Sequence, residues 1–282
     1  MMNILITGAN GFLGRELDRI FSDDGYSVIK TSRAELDVSK RQQVENFFHN
    51  NDIDIVLHTA IKGGRRGREV SFDDFIKNIS MYKNLQDQSD KFKLMFTFGS
   101  GAAYDRARDI DNIDEEKISE RLPADYYGLS KNLIAREVIS HNSNIINLRL
   151  FGCFSAAEET NRFIKSALLN TVNNKPITIH QDKEMDFFHI RDLATVIQYY
   201  IENYDENLPK DMNMCYDQKY TLKQIAERIN CLTKSKIKVI LENKDLGRPY
   251  TGNPQRLLDL PVSLNGFESA LKQTYKQIQG NV

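Results

Sequence analysis

Tyr127 and Lys131 stand four residues apart in Tyr127-Gly128-Leu129-Ser130-Lys131. On a helix that spacing puts both side chains on one face. An ammonium there favours the phenolate and draws the phenol's pKa down towards the working range. Such a pair can exchange a proton with a carbonyl or alcohol oxygen. Tyr126 is the competing phenol, but four residues beyond it stands Ser130 rather than a lysine, which leaves it to packing or a substrate contact. A third group should hold the same oxygen. Phe96-Thr97-Phe98-Gly99-Ser100 ends a strand-like run in a hydroxyl. A serine at a strand end is also an ordinary turn former; with Tyr127 and Lys131 downstream, Ser100 completes a catalytic triad.

A second constellation lies at the start of the chain. Thr7-Gly8-Ala9-Asn10-Gly11-Phe12-Leu13-Gly14 follows a strand-like run and opens a helical one. A glycine triplet alone is a weak signal, but between the first strand and helix of a βαβ unit it marks a dinucleotide site. Gly8 serves the tight turn, Gly11 lets backbone approach the pyrophosphate, and Gly14 lets helix pack on strand. The helix N-terminus meanwhile favours phosphate charge. Asn10, Phe12 and Leu13 complete the expected contact loop. An enzyme using NAD usually ends its second strand in Asp or Glu, about twenty residues on. Here Thr31-Ser32-Arg33 stands instead. A guanidinium holds a 2′-phosphate through charge-assisted bonds, so NADP(H) is the expected cofactor, with Ser32 as a weaker second contact. The alternative is a solvated loop arginine. Asp37 reaches the adenine edge or caps the helix that starts near Ser39.

These groups need a scaffold. Short apolar runs at Asn3–Thr7, Ser27–Thr31, 53–58, 94–98 and Ile145–Leu150 alternate with helical patterns at 12–22, 40–50, 72–89 and 127–140. Apolar strands between amphipathic helices imply a parallel sheet covered on both faces, and right-handed crossovers make it a doubly wound, Rossmann-type α/β fold. Residues 1–160 form the expected dinucleotide-binding domain with the triad. Residues 161–282, with helices over 161–172, 191–204, 222–232 and 264–278 and strands over 176–180, 212–216 and 237–241, are expected to complete the sheet and form a small substrate lobe. Lys62–Arg68 and Asn243–Arg256 read as loops.

At 282 residues, 40% hydrophobic and 27% charged, the chain has ordinary globular usage. With 38 basic against 39 acidic residues there is no field for nucleic acid or anionic membrane. Three widely spaced cysteines suit neither disulfides nor zinc, and no metal site is expected. No apolar run approaches the roughly 20 residues of a membrane span. The opening Met2–Thr7 run lacks the build of a signal peptide. The expectation is a cytoplasmic protein.

The chain resembles the extended short-chain dehydrogenases/reductases that act on sugar nucleotides, and among them the GDP-L-fucose synthases. Beyond the glycine loop and triad, the likeness lies in Arg33-Ala34-Glu35-Leu36-Asp37, His58-Thr59-Ala60 and Lys62-Gly63-Gly64 with Asn78. It continues in Asp186-Phe187-Phe188-His189-Ile190-Arg191-Asp192, and from Gly247-Arg248-Pro249 to Arg256-Leu257-Leu258-Asp259. The resemblance implies an NADPH-dependent enzyme for a nucleotide-linked 4-keto-6-deoxy sugar, hexose or heptose, with GDP as the nucleotide and Ala60 beside the cofactor. It also implies a possible homodimer through paired helices. Two departures stand out. GDP-L-fucose synthases epimerise with a cysteine two residues beyond the catalytic serine and a downstream histidine. This chain has Ala102 there and no histidine between His141 and His180. Cys153 is the nearest understudy, and Met185 replaces a substrate-binding arginine.

Cations outside the cofactor site should meet the substrate. Arg248 and Arg256 suit a pyrophosphate clamp, and Lys62 can reach sugar or cofactor; Arg65, Arg66 and Arg68 read as a solvated face. His58 and His189 read as structural. The expected activity is reduction of the C4 ketone without 3,5-epimerisation. The alternatives are an epimerase or dehydratase of the same family, for which Gly101-Ala102-Ala103 supplies no acid–base pair, and a non-catalytic dinucleotide sensor, which has no need of an intact triad.

Overall fold

The apolar runs of the first half form strands, and the amphipathic stretches between them form helices. In chain order these are β1 (Asn3–Thr7), α1 (Phe12–Asp23), β2 (Ser27–Thr31), α2 (Arg41–Asn50), β3 (Ile55–His58), α3 (Phe72–Gln86), β4 (Leu94–Ser100), β5 (Ile110–Ile113), α4 (Tyr126–Ser140) and β6 (Ile145–Leu150). There follow β7 (Cys153–Phe154), α5 (Phe163–Val172), β8 (Ile177–Gln181), β9 (Phe188–His189), α6 (Ile190–Asn203), β10 (Asp211–Met214), α7 (Leu222–Thr233), β11 (Val239–Asn243), β12 (Tyr250–Gly252), α8 (Gln255–Leu258) and α9 (Phe267–Gly280). The structure, a computed structural model, describes residues 2–64, 69–141 and 144–280.

Six strands make one parallel sheet in the order β2-β1-β3-β4-β6-β10. Alternate residues feed opposite faces. Ile4 and Ile6 join Leu17, Ile20, Leu193 and Ile197 from α1 and α6. Leu5, Val56 and Met95 join Val44, Phe48, Tyr82, Leu85 and Val138 from α2, α3 and α4. This is the doubly wound architecture the sequence predicts. Between β2 and β3 the chain crosses from one side of β1 to the other, and that reversal opens a crevice at the strands' carboxyl ends.

The second region both enters the sheet and leaves it. Strand β10 completes the sheet edge, where the fully buried Arg149 of β6 donates to both carboxylate oxygens of Asp211 at 2.7 Å. The remainder packs α5, α7 and α9 around β8 and β11 in a separate core that includes Phe154, Leu168, Ile225 and Leu271. One expectation is corrected here. The stretch Asn243–Arg256 is not all loop, because Tyr250–Gly252 forms β12 and pairs in parallel with β5, a strand absent from the sequence reading. That pairing draws the lobe across the carboxyl end of β4.

Candidate active site

The candidate triad and the glycine turn gather at the carboxyl ends of the central strands. Strand β4 is buried throughout and ends at Ser100, which caps a short 3-10 turn over Gly101–Tyr104 by accepting from the Ala102 N–H at 3.2 Å. Helix α4 starts opposite, capped by Asp125, whose carboxylate accepts from Gly128 N–H at 2.8 Å. The cap places Tyr127 in the first turn, where the Ser100 hydroxyl is near enough to its phenol to favour the phenolate. One turn further, the buried Lys131 ammonium donates to the Phe98 carbonyl at 2.6 Å and lies 6.0 Å from the Tyr127 ring centroid. Ser100, Tyr127 and Lys131 are therefore neighbours.

The electrostatics differ from the expectation that Lys131 lowers the Tyr127 pKa. Burial raises the Tyr127 pKa above the ordinary phenol value, against opposing pulls from the Ser100 hydrogen bond and the Arg106 and Arg162 charges. Burial also lowers Lys131 to about 8. The physical reason is that the ammonium spends a hydrogen bond on Phe98 rather than on the phenol. Tyr127 is thus a protonated donor at neutral pH. Tyr126 faces away, half-exposed against Phe72 and Phe75, and serves packing.

At the crevice, Gly8 has φ +71°, and a Cβ there would stand 2.6 Å from the Ala60 Cα. The loops after β1 and β3 touch so closely that only glycine fits. A Cβ at Gly14 would meet the Gly8 carbonyl oxygen at 2.6 Å, so α1 lies hard against the turn. The N-cap of α1 is Gly11, with no side-chain cap on the first-turn amides, which leaves donors for an anion. Asn10, Phe12 and Leu13 belong to this loop and first turn, and α1 itself begins at Phe12. The cradle fits a dinucleotide pyrophosphate. At the end of β2, Arg33 is exposed and its Nε lies 3.2 Å from Asp37. Asp37 accepts from the Ser39 hydroxyl at 2.6 Å, and the Ser32 N–H donates to Glu35 at 2.7 Å. His58 is buried beside Thr7, at 2.8 Å, and is driven down to about 3 by burial and by Lys131, so it stays neutral.

The loop after β3 covers the phenol. The buried Asn78 clamps the Lys62 backbone, accepting from its N–H at 2.8 Å and donating to its carbonyl at 3.0 Å. Gly64, at φ +78°, runs so near that a Cβ would lie 3.2 Å from the Tyr127 hydroxyl. Arg65, Arg66 and Arg68 lie outside the described residues. On the lobe, Arg248 stays mostly exposed, bonded to the Ala107 carbonyl and 3.8 Å from Asp109. Arg256 is a correction. Its guanidinium donates to the Asp211 carbonyl at 2.8 Å, at the start of β10, and pairs with Glu115 and Glu116. Those carboxylates take the charge that a clamp would need, at the opposite end of the strand from the crevice.

Beside Ser100, Ala102 is fully buried and brings no titratable group. The Cys153 thiol is buried, and desolvation with Glu158 nearby pushes it well above the thiol range. His189 caps α6, accepting from the Arg191 N–H at 3.3 Å, and packs on Phe154. Three residues without a signal in the sequence act on the triad: Arg106, 5.9 Å from the Tyr127 ring centroid, Tyr250, 3.4 Å from Ser100, and Arg162, whose charge reaches Tyr127 and which pairs with Glu158 at 3.1 Å. All sit on connecting segments or lobe elements, where no periodicity or motif marks them.

The pattern of the NAD dependent epimerase/dehydratase family matches residues 4–215. GDP-L-colitose synthase of Yersinia pseudotuberculosis is 24% identical over 245 residues, 78% of this chain and 79% of that protein. Two solved structures from Campylobacter jejuni share the fold along nearly the whole chain. One is a GDP-D-glycero-L-gluco-heptose synthase in the presence of NADPH, 19% identical at TM-score 0.82 over 99% of this chain and 98% of that one. The other is a GDP-mannoheptose C4 reductase with NADP bound, 18% identical at TM-score 0.82 over the same shares. No helix among the described residues is long and apolar enough to cross a membrane.

Proposed function

The chain belongs to the NAD dependent epimerase/dehydratase family, and on that premise we propose that it is an NADPH-dependent reductase of the C4 ketone of a GDP-linked 4-keto-6-deoxy sugar, hexose or heptose, that does not epimerise C3 or C5. The observation that carries the reading is an intact Ser100, Tyr127 and Lys131 beside an Ala102 that can hold no proton. The relatives support the substrate class, since each is named for a GDP sugar.

The Gly8–Gly14 turn and the free amides of α1 would hold the pyrophosphate, with Ala60 against the same turn and Arg33, Ser32 and Asp37 at the ribose end. Bound there, the nicotinamide would supply hydride to the ketone carbon. Ser100 orients the carbonyl oxygen by donating to it, and Tyr127 Oη gives its proton to the oxygen as negative charge develops there. Burial suits Tyr127 to the part, because a phenol with a raised pKa enters the step protonated. Lys131 holds the nicotinamide ribose and adds positive charge beside the phenol. Lys62 and Arg248 face the substrate's phosphates, supplemented by Arg106 and Arg162. The apolar side chains exposed on α3 and α4 (Phe72, Ile76, Tyr126 and Leu133) support a homodimer through those helices.

One observation favours a second reading, an epimerase. Glu158 is buried, its carboxyl is pushed up to about 7 by desolvation, and it accepts from Arg162 at 3.1 Å. Arg162 also exerts its charge on Tyr127, and a carboxyl paired with it that titrates near neutrality could exchange an α-proton. Turnover of a panel of GDP-4-keto-6-deoxy sugars with NADPH in deuterated water separates the two. We expect consumption of NADPH with protons retained at C3 and C5 by NMR, after correction for exchange in an enzyme-free control. Enzyme-dependent deuterium at either carbon, lost in Glu158→Gln, would instead assign an epimerase.

A further inference from the structure

Tyr250 has no part in the proposed step, yet it stands within the triad's reach. It opens β12, and its hydroxyl lies 3.4 Å from Ser100 Oγ. The ring is held on several sides. It packs edge-on to Phe151 at 5.3 Å and 72°, and Lys183 Nζ lies 5.5 Å over its face. Gly101 leaves it room, for a Cβ there would come within 2.8 Å of the ring's Cζ. The backbone is fixed too: the Tyr250 N–H donates to the Glu184 carbonyl at 2.9 Å, and the Tyr250 carbonyl accepts from the Asp186 N–H at 3.2 Å.

A serine hydroxyl has one proton and two lone pairs. One lone pair takes the Ala102 N–H at 3.2 Å. The other faces the Tyr250 hydroxyl at 3.4 Å, where either oxygen can donate, and the phenol, being the more acidic hydroxyl, is the better donor. With both lone pairs filled, the serine's own proton has only one direction left, towards Tyr127 Oη or a substrate oxygen beside it. Burial pushes Tyr250 up to about 12, so it keeps its proton through the neutral range.

We infer that Tyr250 is a positioning residue that acts through Ser100, its donated hydrogen bond committing the serine proton to the reacting oxygen. The inference rests on the reading of Ser100 and Tyr127 as the reductase's catalytic pair.

Tyr250→Phe keeps the ring and removes only the hydroxyl, and the thermal midpoint confirms folding. With a GDP-4-keto-6-deoxyhexose and NADPH, kcat should fall about tenfold while KM for NADPH holds. The basic limb of the kcat profile should move to higher pH, because Tyr127 loses part of the donation that stabilises its phenolate. In a Ser100→Ala background the substitution should add nothing, since the bond it removes ends on Ser100. The Tyr127 titration can also be read without turnover, from the ¹³C shift of its ring Cζ assigned with Tyr127→Phe, and its midpoint should rise in Tyr250→Phe. A wild type that reduces no sugar in the panel sinks the reductase reading, while the titration still decides this inference. An unchanged Tyr127 midpoint, or an effect that persists in the Ser100→Ala background, would overturn it.

Discussion

Tyr127 and Lys131 announce themselves by spacing, because a helix turns any i, i+4 pair onto one face. The glycines at 8, 11 and 14 announce themselves by what a Cβ would strike. Tyr250, Arg106 and Glu158 do not, because their roles come from where loops and the lobe fold back, and no local rule encodes that. Arg256 misleads for the same reason: its partner Glu116 lies 140 residues away and absorbs a charge that looks free in the sequence. Tyr127→Phe should lower kcat by roughly 10²–10⁴-fold, with NADPH binding by fluorescence titration unchanged; near-normal turnover would remove Tyr127 as the proton donor. Arg33→Ala should raise the KM for NADPH far more than that for NADH, because the exposed guanidinium beside Asp37 that would contact the 2′-phosphate is removed. Equal effects on both cofactors would show that Arg33 does not read the phosphate.

At the scale of elements, the sheet was legible because its strands are short apolar runs buried on both faces, and three of the five first-half strands match their expected bounds residue for residue. Strands β5 and β12 were hidden. Ile110-Asp111-Asn112-Ile113 and Tyr250-Thr251-Gly252 are too short and too polar for a period to emerge, and they become strands only by pairing with each other. The packing of α1 against β1 depends on a single missing side chain. A methyl at Gly14 would stand 2.6 Å from the Gly8 carbonyl oxygen and 2.7 Å from the Ala9 Cα. Both are backbone atoms that cannot rotate aside. Gly14→Ala should therefore push α1 outward, cost about 1–3 kcal/mol in urea unfolding, and weaken NADPH binding by displacing the first-turn amides. A stable variant with normal NADPH affinity would mean that the turn tolerates the helix at a greater distance.

At the scale of the whole molecule, the two regions cannot behave as independent bodies. The chain leaves the sheet after β6, lays down α5 and β8 of the lobe, returns as β10 and then adds α7, β11 and α9 to the lobe, so the sheet edge is complete only when residue 214 is in place. Helix α6 packs on α1, across the same divide. The tie between β6 and β10 is also electrostatic: Arg149, wholly buried, has its charge met by Asp211, while Tyr104 and Asn213 accept from its other nitrogen. A buried pair adds little over a well-packed apolar pair, but removing one partner strands the other's charge in a low-dielectric core. Asp211→Ala should therefore cost about 3–5 kcal/mol, measured by urea unfolding followed by far-ultraviolet circular dichroism and by tyrosine fluorescence. Both probes should report one shared transition in the wild type, because unfolding the lobe removes β10 and exposes Arg149 in the same event. The double variant Arg149→Met with Asp211→Leu should recover part of the loss, since no charge is then left unpaired. An Asp211→Ala variant within about 1 kcal/mol of the wild type would show that Arg149 finds other partners. Separate transitions for the two probes would show that the lobe unfolds without opening the sheet.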